Sequence, residues 1–322
     1  MAKRSTARRA LMLLVATSAV VFAFFFYFAW QTAAETTRHT LQPKNRGFDA
    51  PDVPDDVDHQ FVVERGGVEL NVWVLDPRGV RPEGGVDAVV VLHGIADQKR
   101  TMYGLARRYS LGGLRSVLVD FRGHGLSSSV PLTFGAEDTA DLSAVLDAMD
   151  ARGMGVENVG VYGPSYGGGI ALQWSGTDTR VQRVLSASGF ASLAKLQVSF
   201  LRVYEPVEFT PPEWFARAVT DSVTPFDVDD ASGLRLVPEG NAQIVLTHST
   251  NDEVVPYDNA QAIVDVCGER CRLVTLEGMN HLESMSNLPL RQESYKLMTG
   301  EDYPGEGVLN ARYRAWLAAR ER

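Results

Sequence analysis

The chain has 322 residues, 45% of them hydrophobic and 22% charged, the composition of a globular protein with a sizeable core. Its formal net charge is -9, from 40 acidic against 31 basic side chains, which argues against binding nucleic acid by neutralising phosphates. The only two cysteines, Cys267 and Cys271, lack the second pair of ligands that a zinc site needs.

The first ten residues form a basic segment with Lys3, Arg4, Arg8 and Arg9, and no acidic residue precedes Glu35. Residues 11–30, LMLLVATSAVVFAFFFYFAW, are an unbroken apolar or small-residue run, and about twenty such residues span a bilayer core. The run is expected to be a transmembrane signal-anchor. Its bulky stretch Phe24-Phe25-Phe26-Tyr27-Phe28 continues almost to Trp30, and the basic residues favour the cytoplasmic side. A cleaved signal peptide is the alternative, with small residues at Thr32-Ala33-Ala34. Residues 31–58, rich in Thr, Pro and Asp, are expected to be a linker holding a domain at 59–322 off the membrane.

That domain opens with alternating apolar residues around Gly66-Gly67, the pattern of a β-hairpin. Ala88 to Leu92 is a β-branched run typical of a strand buried on both faces. Leu114 to Val119, Val159 to Tyr162, Arg183 to Ser188, Ile244 to Thr247 and Leu273 to Leu276 repeat its character. Helices are predicted over Met102 to Tyr109, Thr139 to Arg152, Gly168 to Trp174, Asn259 to Val266 and Leu309 to Ala319. The alternation predicts an α/β fold with a mostly parallel, doubly wound sheet. Residues 190–240 break it and carry Phe200, Leu201, Tyr204, Phe209, Trp214 and Phe215, so a helical cap inserted over the sheet's C-terminal edge is expected there. Outside the cytoplasm the two cysteines of Cys-Gly-Glu-Arg-Cys can bridge; reduced, half-buried thiols are the alternative.

The chemistry centres on Gly163-Pro164-Ser165-Tyr166-Gly167, a G-x-S-x-G sequence between a predicted strand and a predicted helix. Such a turn lifts the serine hydroxyl clear of the sheet, provided that the flanking positions have no side chain to clash. A nucleophilic serine needs a base, and the base needs an orienting acid. In this architecture they follow in the order Ser, Asp or Glu, His. Of the six histidines only His248 and His281 follow Ser165. His281, in a loop beyond a predicted strand, is the candidate base, and Asp252, beyond the preceding strand, the candidate acid. The oxyanion donors are expected to be the backbone N–H groups of Tyr166 and, in the loop His93-Gly94-Ile95-Ala96, of Ile95. His93 reads as a structural hydrogen-bonding residue.

Leu92-His93-Gly94, Asp120 to Ser127, the Ser165 turn, Asp252 with Val255-Pro256, and Gly278 with His281 together resemble the α/β-hydrolase superfamily of the serine type, over roughly residues 60 to 290. Asp120 to Ser127 matches the family's D-x-R-G-x-G-x-S loop, which is structural there, so the resemblance gives His124 no catalytic role. Ser249 departs from the glycine that many relatives carry. The resemblance implies acyl-group hydrolysis through an acyl-serine intermediate, without cofactor, metal or nucleotide. A carboxylesterase or lipase-like enzyme acting on a small-molecule or lipid-like acyl substrate outside the membrane is the leading expectation. A small serine peptidase is the first alternative, because G-x-S-Y-G-G also resembles dipeptidyl and prolyl peptidases, and a non-catalytic binding module on the same fold is the second.

Overall fold

The computed structural model describes residues 2–45, 52–204 and 211–320. Eight strands form one sheet: β1 (His59–Arg65), β2 (Val68–Leu75), β3 (Ala88–Val91), β4 (Arg115–Val119), β5 (Val159–Pro164), β6 (Val181–Ala187), β7 (Gln243–Ser249) and β8 (Cys271–Leu276). Their spatial order is β1-β2-β4-β3-β5-β6-β7-β8. β2 pairs antiparallel with β1 and β4, and every other pair is parallel. The parallel strands therefore all end on one edge of the sheet.

Alternation along the central strands explains why both faces are covered. Val90, Val117 and Val161 belong to one buried cluster, while Val89, Val91, Leu118 and Tyr162 belong to another on the opposite face. The α-helices of the described residues, in chain order, are α1 (Ala2–Thr40), α2 (Lys99–Leu111), α3 (Asp138–Asp150), α4 (Ser165–Trp174), α5 (Leu193–Tyr204), α6 (Glu213–Val223), α7 (Gly233–Leu236), α8 (Asp258–Cys267), α9 (His281–Ser284), α10 (Leu288–Thr299) and α11 (Glu306–Arg320). Leu142, Val145 and Met149 of α3, Ile170 and Trp174 of α4 and Ile263 of α8 cover one face. Ala106 and Tyr109 of α2 and Leu290, Tyr295 and Met298 of α10 cover the other.

The sequence reading overlooks α10, although its start carries ordinary signals. Pro289 lies in its first turn, the Asn287 side chain accepts from the Leu290 N–H at 2.8 Å, and Gly300 closes it at φ 79°. Between β6 and β7 lie α5, α6 and α7, with Phe200, Leu201 and Phe215 buried; Phe209 lies outside the described residues. Cys267 and Cys271 are disulfide-bonded at the end of α8.

The expected linker needs correction. α1 continues ten residues past Trp30 to Thr40, and its stretch Val15–Thr40 is long and apolar enough to cross a membrane. Ala33 and Ala34 are buried in a cluster with Leu201, Phe215 and Val219 of α5 and α6, and Trp30 packs on it. Leu41 joins the main core and its carbonyl accepts from the Leu132 N–H at 2.8 Å. The Lys44 N–H donates to the Gly123 carbonyl at 2.7 Å, and Asn45 Nδ2 to the Ser127 carbonyl at 2.7 Å. Small residues at 33 and 34 let the helix backbone approach α6 closely, so residues 31–45 are docked on the domain. The absence of an apolar repeat over this stretch concealed that packing from a reading of composition.

Candidate active site

Ser165 stands at the junction of β5 and α4 with φ 47°, a left-handed conformation that a non-glycine residue adopts only at a cost, of order 1–3 kcal/mol. The neighbouring glycines make it feasible. A Cβ on Gly163 would overlap the Gly167 carbonyl, and one on Gly167 would meet the His93 carbonyl oxygen at 2.6 Å and Leu92 Cβ at 2.9 Å. The strain lifts the serine hydroxyl to the rim of the sheet, at the N-terminus of α4.

His281 begins α9, whose first turn is held by a reciprocal cap. Asn280 Oδ1 accepts from the Glu283 N–H at 3.0 Å, and Glu283 Oε2 accepts from the Asn280 N–H at 3.0 Å. This places His281 Nε2 3.0 Å from Ser165 Oγ and His281 Nδ1 2.7 Å from Asp252 Oδ2. Asp252 is fixed in turn: its Oδ1 accepts from the N–H groups of Val254 at 3.0 Å and Val255 at 2.8 Å. Burial alone would raise the Asp252 carboxyl, but the hydrogen bond and charge of His281 outweigh it and hold it below the ordinary carboxylate range. An ionised Asp252 makes Nδ1 the protonated nitrogen of a neutral imidazole. Nε2 is then free to accept the hydroxyl proton of Ser165.

The structure thus brings Ser165, Asp252 and His281 into one hydrogen-bonded line, although Ser165 and His281 lie 116 residues apart. Ser249, the departure from the glycine of many relatives, links two loops here. Its Oγ donates to the Met279 carbonyl at 2.6 Å and accepts from the Asn251 N–H at 3.2 Å, tying the acid loop to the histidine loop. His248 packs behind: Nε2–H donates to the Val255 carbonyl at 2.7 Å, and burial lowers its pKa.

The loop after β3 borders the same space. His93 Nε2 accepts from the Phe121 N–H at 3.1 Å, so Nδ1 carries the proton and donates to the Gly94 carbonyl at 2.8 Å. Burial lowers the pKa of His93, and this neutral ring pins the start of the Gly94–Ile95 turn. Ala96 completes the turn at φ 58°. Gly94, Ile95, Ser165, Tyr166 and His281 all line one cavity of about 1210 Å³. The Tyr166 side chain is buried, its hydroxyl donating to Asp138 Oδ1 at 3.4 Å, while its backbone N–H lies in the first turn of α4, where no intrahelical acceptor exists.

His124 lies apart from this line, its ring buried against His93 and Tyr166 and its pKa pushed down to about 3 by burial. Asp120 anchors its loop, accepting from the N–H groups of Lys99 at 2.7 Å and Leu126 at 2.9 Å and pairing with the buried Lys99 ammonium. Among the described residues no group of three or more His, Cys, Asp or Glu side chains is arranged to hold a metal ion. The sequence reading missed a further part of the cavity wall: Thr32, Glu35, Thr36, His39 and Thr40 of α1, with Gln42 and Lys44 beyond it.

Residues 87–232 match the family model described as the alpha/beta hydrolase fold. Among solved structures, a 2,6-dihydroxy-pseudo-oxynicotine hydrolase is 18% identical, with 76% of this chain and 69% of that one covered and a TM-score of 0.58. An esterase of Pyrococcus furiosus is 18% identical, with 81% and 95% covered and a TM-score of 0.59. A puromycin-hydrolyzing peptidase of Mycobacterium tuberculosis is 20% identical, with 79% of this chain but 42% of that one covered and a TM-score of 0.58. The matched segment, the strand order and the turn that carries Ser165 agree: this chain is an α/β-hydrolase-fold protein.

Proposed function

We propose that the protein is a serine hydrolase that cleaves a carboxylic ester through an acyl-serine intermediate. The observation that carries this reading is the unbroken line from Asp252 through His281 to Ser165 at the wall of a large cavity. Ser165 Oγ attacks the ester carbonyl while His281 Nε2 takes its proton, and Asp252 stabilises the imidazolium. The carbonyl oxygen becomes an oxyanion held by the N–H groups of Tyr166 and Ile95. Collapse breaks the carbon–oxygen bond, and His281 gives its proton to the departing alcohol. Water, deprotonated by His281, then releases the acid and restores Ser165.

Peptide cleavage by the same machinery is the second reading, favoured by the likeness to the puromycin-hydrolyzing peptidase and to an acylaminoacyl peptidase. A fluorophosphonate probe tests the nucleophile first: labelling should occur in the native chain, vanish in Ser165→Ala, and fall strongly in His281→Ala. Unchanged labelling of Ser165→Ala sinks the assignment of the nucleophile, and absence of labelling in the native chain favours a non-catalytic module. Turnover of p-nitrophenyl esters over aminoacyl anilides should then decide for the esterase; turnover of anilides alone reverses it.

We further propose that α1 remains attached as an anchor with the domain on the extracytoplasmic side. The basic start of the chain and the Cys267–Cys271 bridge support the orientation. Burial of Ala33 and Ala34 under α6 supports retention of the helix. Protease added to intact cells should digest the domain, and full protection would contradict this topology.

A further inference from the structure

We infer that α1 is a wall of the active site as well as an anchor, and that the substrate is a bilayer-resident acyl lipid with a small polar headgroup, admitted along that helix. This rests on the serine-esterase reading above and narrows it to a substrate class.

Two faces of α1 diverge after Trp30. Ala33, Ala34, Thr37 and Leu41 are buried against the cap and the core. Thr32, Glu35, Thr36, His39 and Thr40, recurring at spacings of three and four, line the cavity that holds Ser165. The same cavity also has an apolar lining, with Phe190 after β6 and Leu196 and Phe200 of α5. A cavity with one polar helical face, an apolar face and the nucleophile on the same lining suits an amphiphile whose ester joins a hydrocarbon tail to a polar head.

Its position explains the route. At 1.5 Å per residue, Thr32 lies only about 3 Å along the axis beyond Trp30, the end of the apolar run, so the lining begins in the interfacial layer of a spanned bilayer. The cap reaches the same level. Phe215 packs edge-on against Phe26 and Trp30, each at 5.8 Å between ring centroids, and the neighbouring Trp214 is exposed. An exposed tryptophan beside the end of an apolar span is placed to rest among lipid headgroups. A lipid can then pass from the leaflet into the cavity without crossing water.

The test uses the full chain in phosphatidylcholine vesicles containing monooleoylglycerol, with p-nitrophenyl butyrate as a water-soluble comparison. Turnover of monooleoylglycerol is expected to follow its mole fraction in the bilayer and to stay constant per enzyme when the vesicles are diluted with buffer. His39→Trp, which narrows the polar wall, is expected to lower kcat/KM for monooleoylglycerol relative to butyrate by about tenfold or more. Turnover of butyrate with none of monooleoylglycerol, or lipid turnover that falls with bulk dilution, overturns the inference and leaves the esterase reading standing. An equal loss of both activities in His39→Trp also overturns it, because the wall then selects nothing. Failure of both substrates together with absent fluorophosphonate labelling removes the esterase reading itself.

Discussion

Three histidines around the candidate site are buried and kept neutral by their surroundings: His93, His124 and His248. Desolvation is the leading cause in each, and their folded pKa values lie below the ordinary 6.5. The unfolded chain therefore binds more protons than the folded one as pH falls below 6.5, and stability that is complete above that value is lost on acidification. For His124 the window runs from 6.5 down to about 3. Each such group contributes a slope of up to about 1.4 kcal/mol per pH unit. Urea unfolding should show a loss of about 2 kcal/mol or more between roughly pH 7.5 and 5. A flat profile would mean that these rings are solvated or charged in the folded protein. Their neutrality also bears on the site, since His93 Nε2 can accept from the Phe121 N–H only while it is unprotonated, with Nδ1–H donating to the Gly94 carbonyl.

The turn from β5 into α4 is where local sequence speaks most clearly. Gly163 and Gly167 flank Ser165 because a Cβ on either would overlap neighbouring backbone. Gly167→Ala should therefore cost about 1–3 kcal/mol in a urea titration and lower kcat by displacing Ser165. A variant as stable and as active as the native chain would show that the turn can relax. The order Ser165, Asp252, His281 was readable for a related reason. Each residue follows a parallel strand, and parallel strands deliver their C-terminal loops to one edge. Ser249 and α10 were less legible. The role of Ser249 depends on a carbonyl thirty residues away, and α10 shows its apolar side only once the sheet it covers is known.

At the scale of the whole molecule, the fold class could be read from alternating strands and helices, but the placement of α1 could not. Thr32 to Thr40 has no bulky apolar residue, and its packing on α5 and α6 brings together segments about 170 to 190 residues apart. The proposed active site likewise exists only when β5, β7 and β8 lie in one sheet, since its three candidate side chains lie just beyond those strands. Rapid-quench mass spectrometry of the full chain during turnover of p-nitrophenyl butyrate tests that assembly directly. One butyryl group per chain, located on Ser165, absent from Ser165→Ala and formed far more slowly in Asp252→Asn, is the expected result. Product release with no acyl group on Ser165, and undiminished in Ser165→Ala, would contradict it.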